Sequence, residues 1–168
     1  ARLDYSGRAW HADIAARYAS DPLFVGLNLM VEPNPLASDD TIGSPEELRA
    51  ALTAAGIDLT AMMARFIAQI RTVAAELPVI VQGPFWSDPE FFSLVEPQAD
   101  PYVVYDFHSY APREFTHPDC GAPNCDGVAY PGVEWGPSYL SDEVLSAIVE
   151  FQAAHHAPIL MGEFGLEF

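Results

Sequence analysis

The chain has no lysine and only seven arginines among its 168 residues, against 24 acidic groups, for a formal net charge of −17. A surface of that sign repels phosphate backbones and anionic headgroups, so nucleic acid and membrane surfaces are poor partners. Neutral or cationic ligands are easier to accept. Long apolar runs are also missing: nothing approaches the roughly 18–20 residues of a membrane span. The opening residues, Ala1 to Tyr5, carry no leader-like pattern. Cysteine is scarce, with Cys120 and Cys125 in one loop and His117 the one histidine nearby. Two thiols do not make a tetrahedral zinc site without further ligands, and a local disulfide and free thiols both stay open. No metal or cofactor is expected. What is abundant is apolar: half the residues are hydrophobic and 12% are aromatic, which suits one globular domain, or part of one, over 1–168.

Apolar spacing predicts a helix ending over Trp10–Tyr18, with Trp10, Ile14, Ala15 and Tyr18 on one face. Leu23 to Val31 is almost wholly apolar and reads as a strand covered on both faces, ending at Glu32. Counting back from Glu32 by twos places Met30, Asn28 and Gly26 on one side, and Asn28 there implies a polar interior. Ser44, Pro45 and Glu47 open a helix that breaks near Gly56. A second helix is predicted over 58–77 on a stripe of Leu59, Met62, Met63, Phe66, Ile67, Ile70, Val73 and Leu77. Val79 to Gly83 gives the next strand, and Ser87 to Glu90 cap a short helix through Val95. Tyr102 to Tyr110 is the third strand, alternating so that Asp106, His108 and Tyr110 face away from Tyr105 and Phe107. After a long loop, Ala111 to Pro137, Ser141 to Glu143 open the last helix, with His155 and His156 as capping residues in its final turn. Pro158 to Gly165 reads as a buried strand. Helices and strands thus alternate, the pattern of an α/β chain with about four parallel strands and outer helices.

The polar residues cluster at the carboxyl ends of these strands: Glu32, Trp86, His108 with Tyr110, and Glu163. In a (β/α)8 TIM barrel that is where catalytic groups are carried. Two glutamates facing a shared cleft divide the work of acetal hydrolysis, one donating a proton to the leaving oxygen and the other attacking the anomeric carbon. Trp86 would offer a stacking face to a sugar ring.

Three blocks, Asn28 through Glu32 to Asn34, Tyr105 through His108 and Tyr110 to His117, and Met161 through Glu163 to Gly165, resemble glycoside hydrolase family 5, the cellulase-like retaining glycosidases. The resemblance implies a partial TIM barrel, strands four to seven of eight, with Glu32 as acid/base and Glu163 as nucleophile. By the same resemblance His108 contacts substrate and Tyr110 hydrogen-bonds the nucleophile. The family's Asn directly before the acid/base is here Val31, so Asn28, Asn34 or an off-strand residue would have to hold the sugar's 2-hydroxyl. Trp135, in the long loop with Tyr130, is a candidate substrate wall. The implied ligand is an oligo- or polysaccharide, a β-linked glucan or mannan, and the implied location extracellular or periplasmic. A full barrel needs about 250 residues. The remaining strands are therefore expected from the rest of a longer protein, and this piece alone is expected to be inactive or poor.

Two other readings are open. A non-catalytic carbohydrate-binding derivative of such a barrel is favoured by Val31, and a metal-dependent hydrolase would use Asp106, His108 and His117. Retention requires carboxyl groups about 5–5.5 Å apart, and inversion about 6.5–9.5 Å.

Overall fold

A computed structural model describes residues 2–36, 42–112, 116 and 137–165. Four strands, β1 (Leu27–Asn28), β2 (Val79–Gln82), β3 (Val103–Ser109) and β4 (Ile159–Phe164), pair in chain order, every pair parallel. Among the described residues four α-helices accompany them: α1 (Arg2–Tyr18), α2 (Pro45–Ala54), α3 (Leu59–Arg71) and α4 (Ser146–His155). A 3-10 helix, Pro89–Leu94, lies between β2 and β3, and a π-helical turn, Tyr139–Val144, precedes α4. This is the expected half of a (β/α)8 barrel, with crossover connections between parallel strands.

Register divides the sheet into two faces. Leu27, Val79 and Val103 lie side by side, as do Val81, Tyr105 and Ile159, and then Phe107 and Met161. These side chains pack outward on Met63, Phe66, Ile67 and Ile70 of α3 and on Ile148 and Phe151 of α4, forming the main core. Phe151 meets Phe92 and Tyr105 edge-on, at 5.2 and 4.8 Å. The other face carries Asn28, Ile80 and Val104, then Gln82, Asp106 and Leu160, then His108 and Glu163. Among the described residues no strand lies opposite this inner face.

That openness corrects two expectations. The final strand is not buried: its residues alternate between half-buried and exposed, and Leu160 is 41% exposed. The stretch Leu23–Val31 is not a doubly covered strand. Two residues of it pair with β2, while Leu23 and Val25 are 88% and 81% exposed. Apolar composition there reflects a surface without a neighbour among the described residues.

Helix ends follow local chemistry. Ser44 accepts from the Glu47 amide, and Glu47 accepts from the Gly43 amide, so α2 starts as its residues predict. Asp58 caps α3 by accepting from Ala61. The helix predicted to reach Leu77 stops at Arg71, whose guanidinium donates to the carbonyls of Ala74 and Leu77 and to both oxygens of Asp100. Those bonds give partners to carbonyls in the segment after the helix, where no further turn pairs them. The opening of the last helix also differs: Ser141 bonds Asp142 and the Ser138 carbonyl within the π-helical turn, and α4 begins five residues later at Ser146. His156 does end it, in a left-handed conformation, with His155 against Phe151. In α1, Ala15 is buried as expected, but Trp10 and Tyr18 are exposed; His11, stacked on Phe66, takes the inner position instead. No single described helix is long and apolar enough to cross a membrane.

Candidate active site

The four strands deliver their polar residues to one end of the inner face. Glu32 follows β1 with φ +47°, a left-handed conformation that few non-glycine residues adopt. Its amide donates to Gln82 Oε1 at 2.6 Å, which ties this turn to the end of β2. His108, buried on β3, places Nδ1 2.8 Å from Glu32 Oε1 and 3.5 Å from Glu163 Oε2. Tyr110 donates its hydroxyl to the same Glu163 oxygen at 2.8 Å. That bond, then burial and the two glutamate charges, push the Tyr110 pKa above its ordinary value, so the phenol keeps its proton.

A bulge brings Glu163 to this face. Phe107 pairs with Met161, so strict alternation would send Glu163 outward beside Ser109. The register shifts between Phe107 and His108, and His108 pairs with Glu163 instead. One extra residue on β4, Gly162, turns the carboxylate inward.

Glu32, Trp86, Asp88, His108, Tyr110, Ala111 and Glu163 line a cavity of about 620 Å³. One donor atom each from Glu32, His108 and Glu163 lie within 4.8 Å of one another. Trp86 stands 46% exposed at the rim, so it is available for stacking. It belongs to a run of three left-handed residues, Phe85, Trp86 and Ser87, with φ of 58°, 58° and 60°. Ser87 anchors that run, donating from Oγ to the Asp106 carbonyl and accepting from the His108 amide. A second cavity, about 480 Å³ between α2, α3 and β2, shares no lining residue with the first, although Gln82 lines it.

Of the residues expected to bind substrate, His108, Tyr110 and Trp86 are brought together with the two glutamates. Asn28 and Asn34 do not line the cavity. Asn28 accepts from the Met30 amide, and Asn34 has both amide atoms buried without a hydrogen-bond partner among the described residues. Trp135, Tyr130, His117 and both cysteines lie outside the described residues. Sequence reasoning missed Gln82 and Ser87. Gln82 was findable, as the one polar side chain in an apolar strand, on the inner face by parity.

The family model for cellulase, glycosyl hydrolase family 5, matches residues 4–167. The chain belongs to this family. The same half-barrel recurs in solved structures. An endoglucanase superposes with a TM-score of 0.75 at 19% identity, over 98% of this chain and 48% of its own. Endoglucanase Cel5A of Thermotoga maritima gives 0.72 at 19%, over 99% and 49%. The cellulose synthase subunit Z of Clostridioides difficile gives 0.73 at 17%, over 98% and 50%. The chain thus spans about half the length of these structures. A comparison with curated proteins finds no match.

Proposed function

We propose that this chain carries the catalytic carboxylates of a retaining glycoside hydrolase acting on a β-linked glucan or mannan. The observation that carries the reading is the convergence of Glu32 and Glu163 on His108, with Tyr110 donating to Glu163. One oxygen of Glu32 and one of Glu163 lie within 4.8 Å of each other, which supports the close carboxyl spacing of retention. Glu163 attacks the anomeric carbon while Glu32 protonates the glycosidic oxygen, releasing an alcohol and leaving a glycosyl ester. Glu32, now ionised, takes a proton from water, whose oxygen displaces Glu163 and restores both groups. Tyr110 fixes the nucleophile's rotamer through its hydrogen bond.

The inner face open across Leu160 supports a requirement for the other barrel strands, so activity is expected of the whole protein and not of residues 1–168 alone. The test is mass spectrometry of the full-length protein with a 2-fluoro β-glycoside, expected to label Glu163, beside nitrophenyl glycoside turnover by the full chain and by 1–168. Turnover unaffected by Glu163→Ala would refute the reading. A second reading, a carbohydrate-binding derivative without turnover, is favoured by Val31, which is 61% exposed and has no polar group to offer a 2-hydroxyl. It predicts that Glu163→Ala weakens binding with no hydrolysis to lose.

A further inference from the structure

We propose that Gln82 is a positioning residue: it fixes His108 as the Nδ1–H tautomer and so directs the ring's single N–H to the catalytic carboxylates. The inference rests on the retaining-hydrolase reading for its effect on rate, while the tautomer itself follows from hydrogen bonding alone.

Gln82 is 5% exposed, and its amide orientation is set from one side. The Glu32 backbone N–H points at Oε1 from 2.6 Å, so a turned amide would oppose two donors. The NH2 group therefore faces the other way, where two acceptor positions stand. One hydrogen goes to Asp106 Oδ2 at 2.7 Å, and the second to His108 Nε2 at 3.0 Å. A donor aimed at Nε2 requires a lone pair there. The ring proton then sits on Nδ1, 2.8 Å from Glu32 Oε1 with Glu163 Oε2 next at 3.5 Å.

The groups facing this ring are Glu32 after β1, Gln82 on β2, Asp106 and Tyr110 on and after β3, and Glu163 on β4. Asp106 Oδ2 lies 3.5 Å from Nε2 and would draw a proton to that nitrogen. Gln82 stands against this by occupying both Oδ2 and Nε2 with its own hydrogens. The consequence reaches the acid/base. A Glu32 carboxyl that accepts Nδ1–H at Oε1 carries its transferable proton on Oε2, so the acid presents one oxygen rather than either. Gln82 also holds the Glu32 main chain in its left-handed turn, and the two roles are separable by substitution.

The experiment is ¹⁵N NMR of imidazole-labelled full-length protein, with His108 assigned by comparison with His108→Asn, alongside steady-state kinetics. In the unaltered protein Nδ1 is expected to show the protonated, pyrrole-type resonance and Nε2 the pyridine-type one. An Nε2–H tautomer there overturns the proposal without recourse to any variant. The paired variant Q82E/D106N exchanges carboxyl and amide: it keeps an acceptor for the Glu32 N–H but turns an acceptor toward Nε2. It is expected to move the proton to Nε2 and lower kcat by roughly tenfold to a hundredfold, with KM little changed. An unchanged tautomer and rate in that variant overturn the proposal, and Q82M, which removes the donor alone, is expected to leave His108 in mixed tautomers. If Glu163→Ala spares turnover while His108 is Nδ1–H, the hydrolase reading fails and the tautomer assignment stands. If Glu163→Ala abolishes turnover while His108 is Nε2–H, this inference alone fails.

Discussion

Gly162 lies directly against the carboxylate of Asp106: a Cβ placed on it would stand 2.5 Å from Oδ2 and 2.6 Å from Oδ1. Asp106 is buried, its Oδ2 is bound by Gln82, and its Oδ1 has no hydrogen-bond partner among the described residues, so it has little freedom to retreat. The same glycine is the extra residue that turns Glu163 to the inner face. Gly162→Ala is therefore expected to cost about 1–3 kcal/mol of stability from the overpacking alone. Because β4 must shift to relieve the clash, kcat should fall as well, by more than the stability loss explains. Chemical denaturation with kcat measured well below the unfolding midpoint checks both; a variant as stable and active as the parent would show that the carboxylate moves freely.

Tyr110 supplies the donor to Glu163 Oε2. Tyr110→Phe removes a hydrogen bond to a charged group, worth about 1.5–3 kcal/mol and hence roughly tenfold to a hundredfold in kcat. The Tyr110 pKa is raised above 10.0, first by its bond to Glu163 and then by burial. The phenol thus stays a donor through neutral and mildly alkaline pH and is lost only above its ordinary range. The pH–rate profile of the variant should then keep the parent's shape up to about pH 9, scaled down. An alkaline limb that disappears in Tyr110→Phe within that range would contradict the assignment.

Away from the site, Arg71 holds Asp100 below its ordinary pKa of 3.8 through their paired hydrogen bonds. A carboxyl whose folded pKa is depressed adds stability above its unfolded value, and that stability is lost as pH falls through the folded one. Asp100→Asn is expected to lower stability by about 1–2 kcal/mol near neutral pH. The gap between parent and variant should close as the pH falls below the ordinary value of 3.8 and through the depressed folded one. Urea melts at several pH values read this directly, and a gap independent of pH would mean that the pair contributes nothing through charge.

Much of this arrangement was legible in the chain. Alternation on β3 separated Tyr105 and Phe107 from Asp106 and His108, and the two glutamates stood where strands end. Glu163, however, reaches the inner face through a bulge, and parity from Met161 would have placed it outside. The extent of β1 was illegible for another reason. Apolar composition reports what a surface prefers to bury, and Leu23 and Val25 have no described partner here. Parity marks Gln82 as an inner-face polar residue, but its role depends on groups 24 and 50 residues away in sequence, Asp106 and Glu32.

Trp86 owes its place at the cavity rim to a strained turn. Three successive left-handed residues cost of order 1–3 kcal/mol each and persist only where the surroundings hold them. Here the Phe85 amide donates to the Pro33 carbonyl, the His108 amide to the Ser87 carbonyl, and Ser87 Oγ to the Asp106 carbonyl at 2.9 Å. Ser87 is fully buried, so Ser87→Ala removes the one side-chain anchor and leaves the Asp106 carbonyl without its hydroxyl partner. The turn should relax toward ordinary φ values and carry the indole away from the rim. Since the glutamates, His108 and Tyr110 are untouched, the loss should fall on binding: KM for an oligosaccharide should rise several-fold with kcat nearly unchanged, much as in Trp86→Ala, which removes the stacking face outright. The double variant should then be little worse than Trp86→Ala alone, because both substitutions act through the same ring. Full additivity of the two KM effects in that cycle would show that Ser87 serves the site by some route other than Trp86.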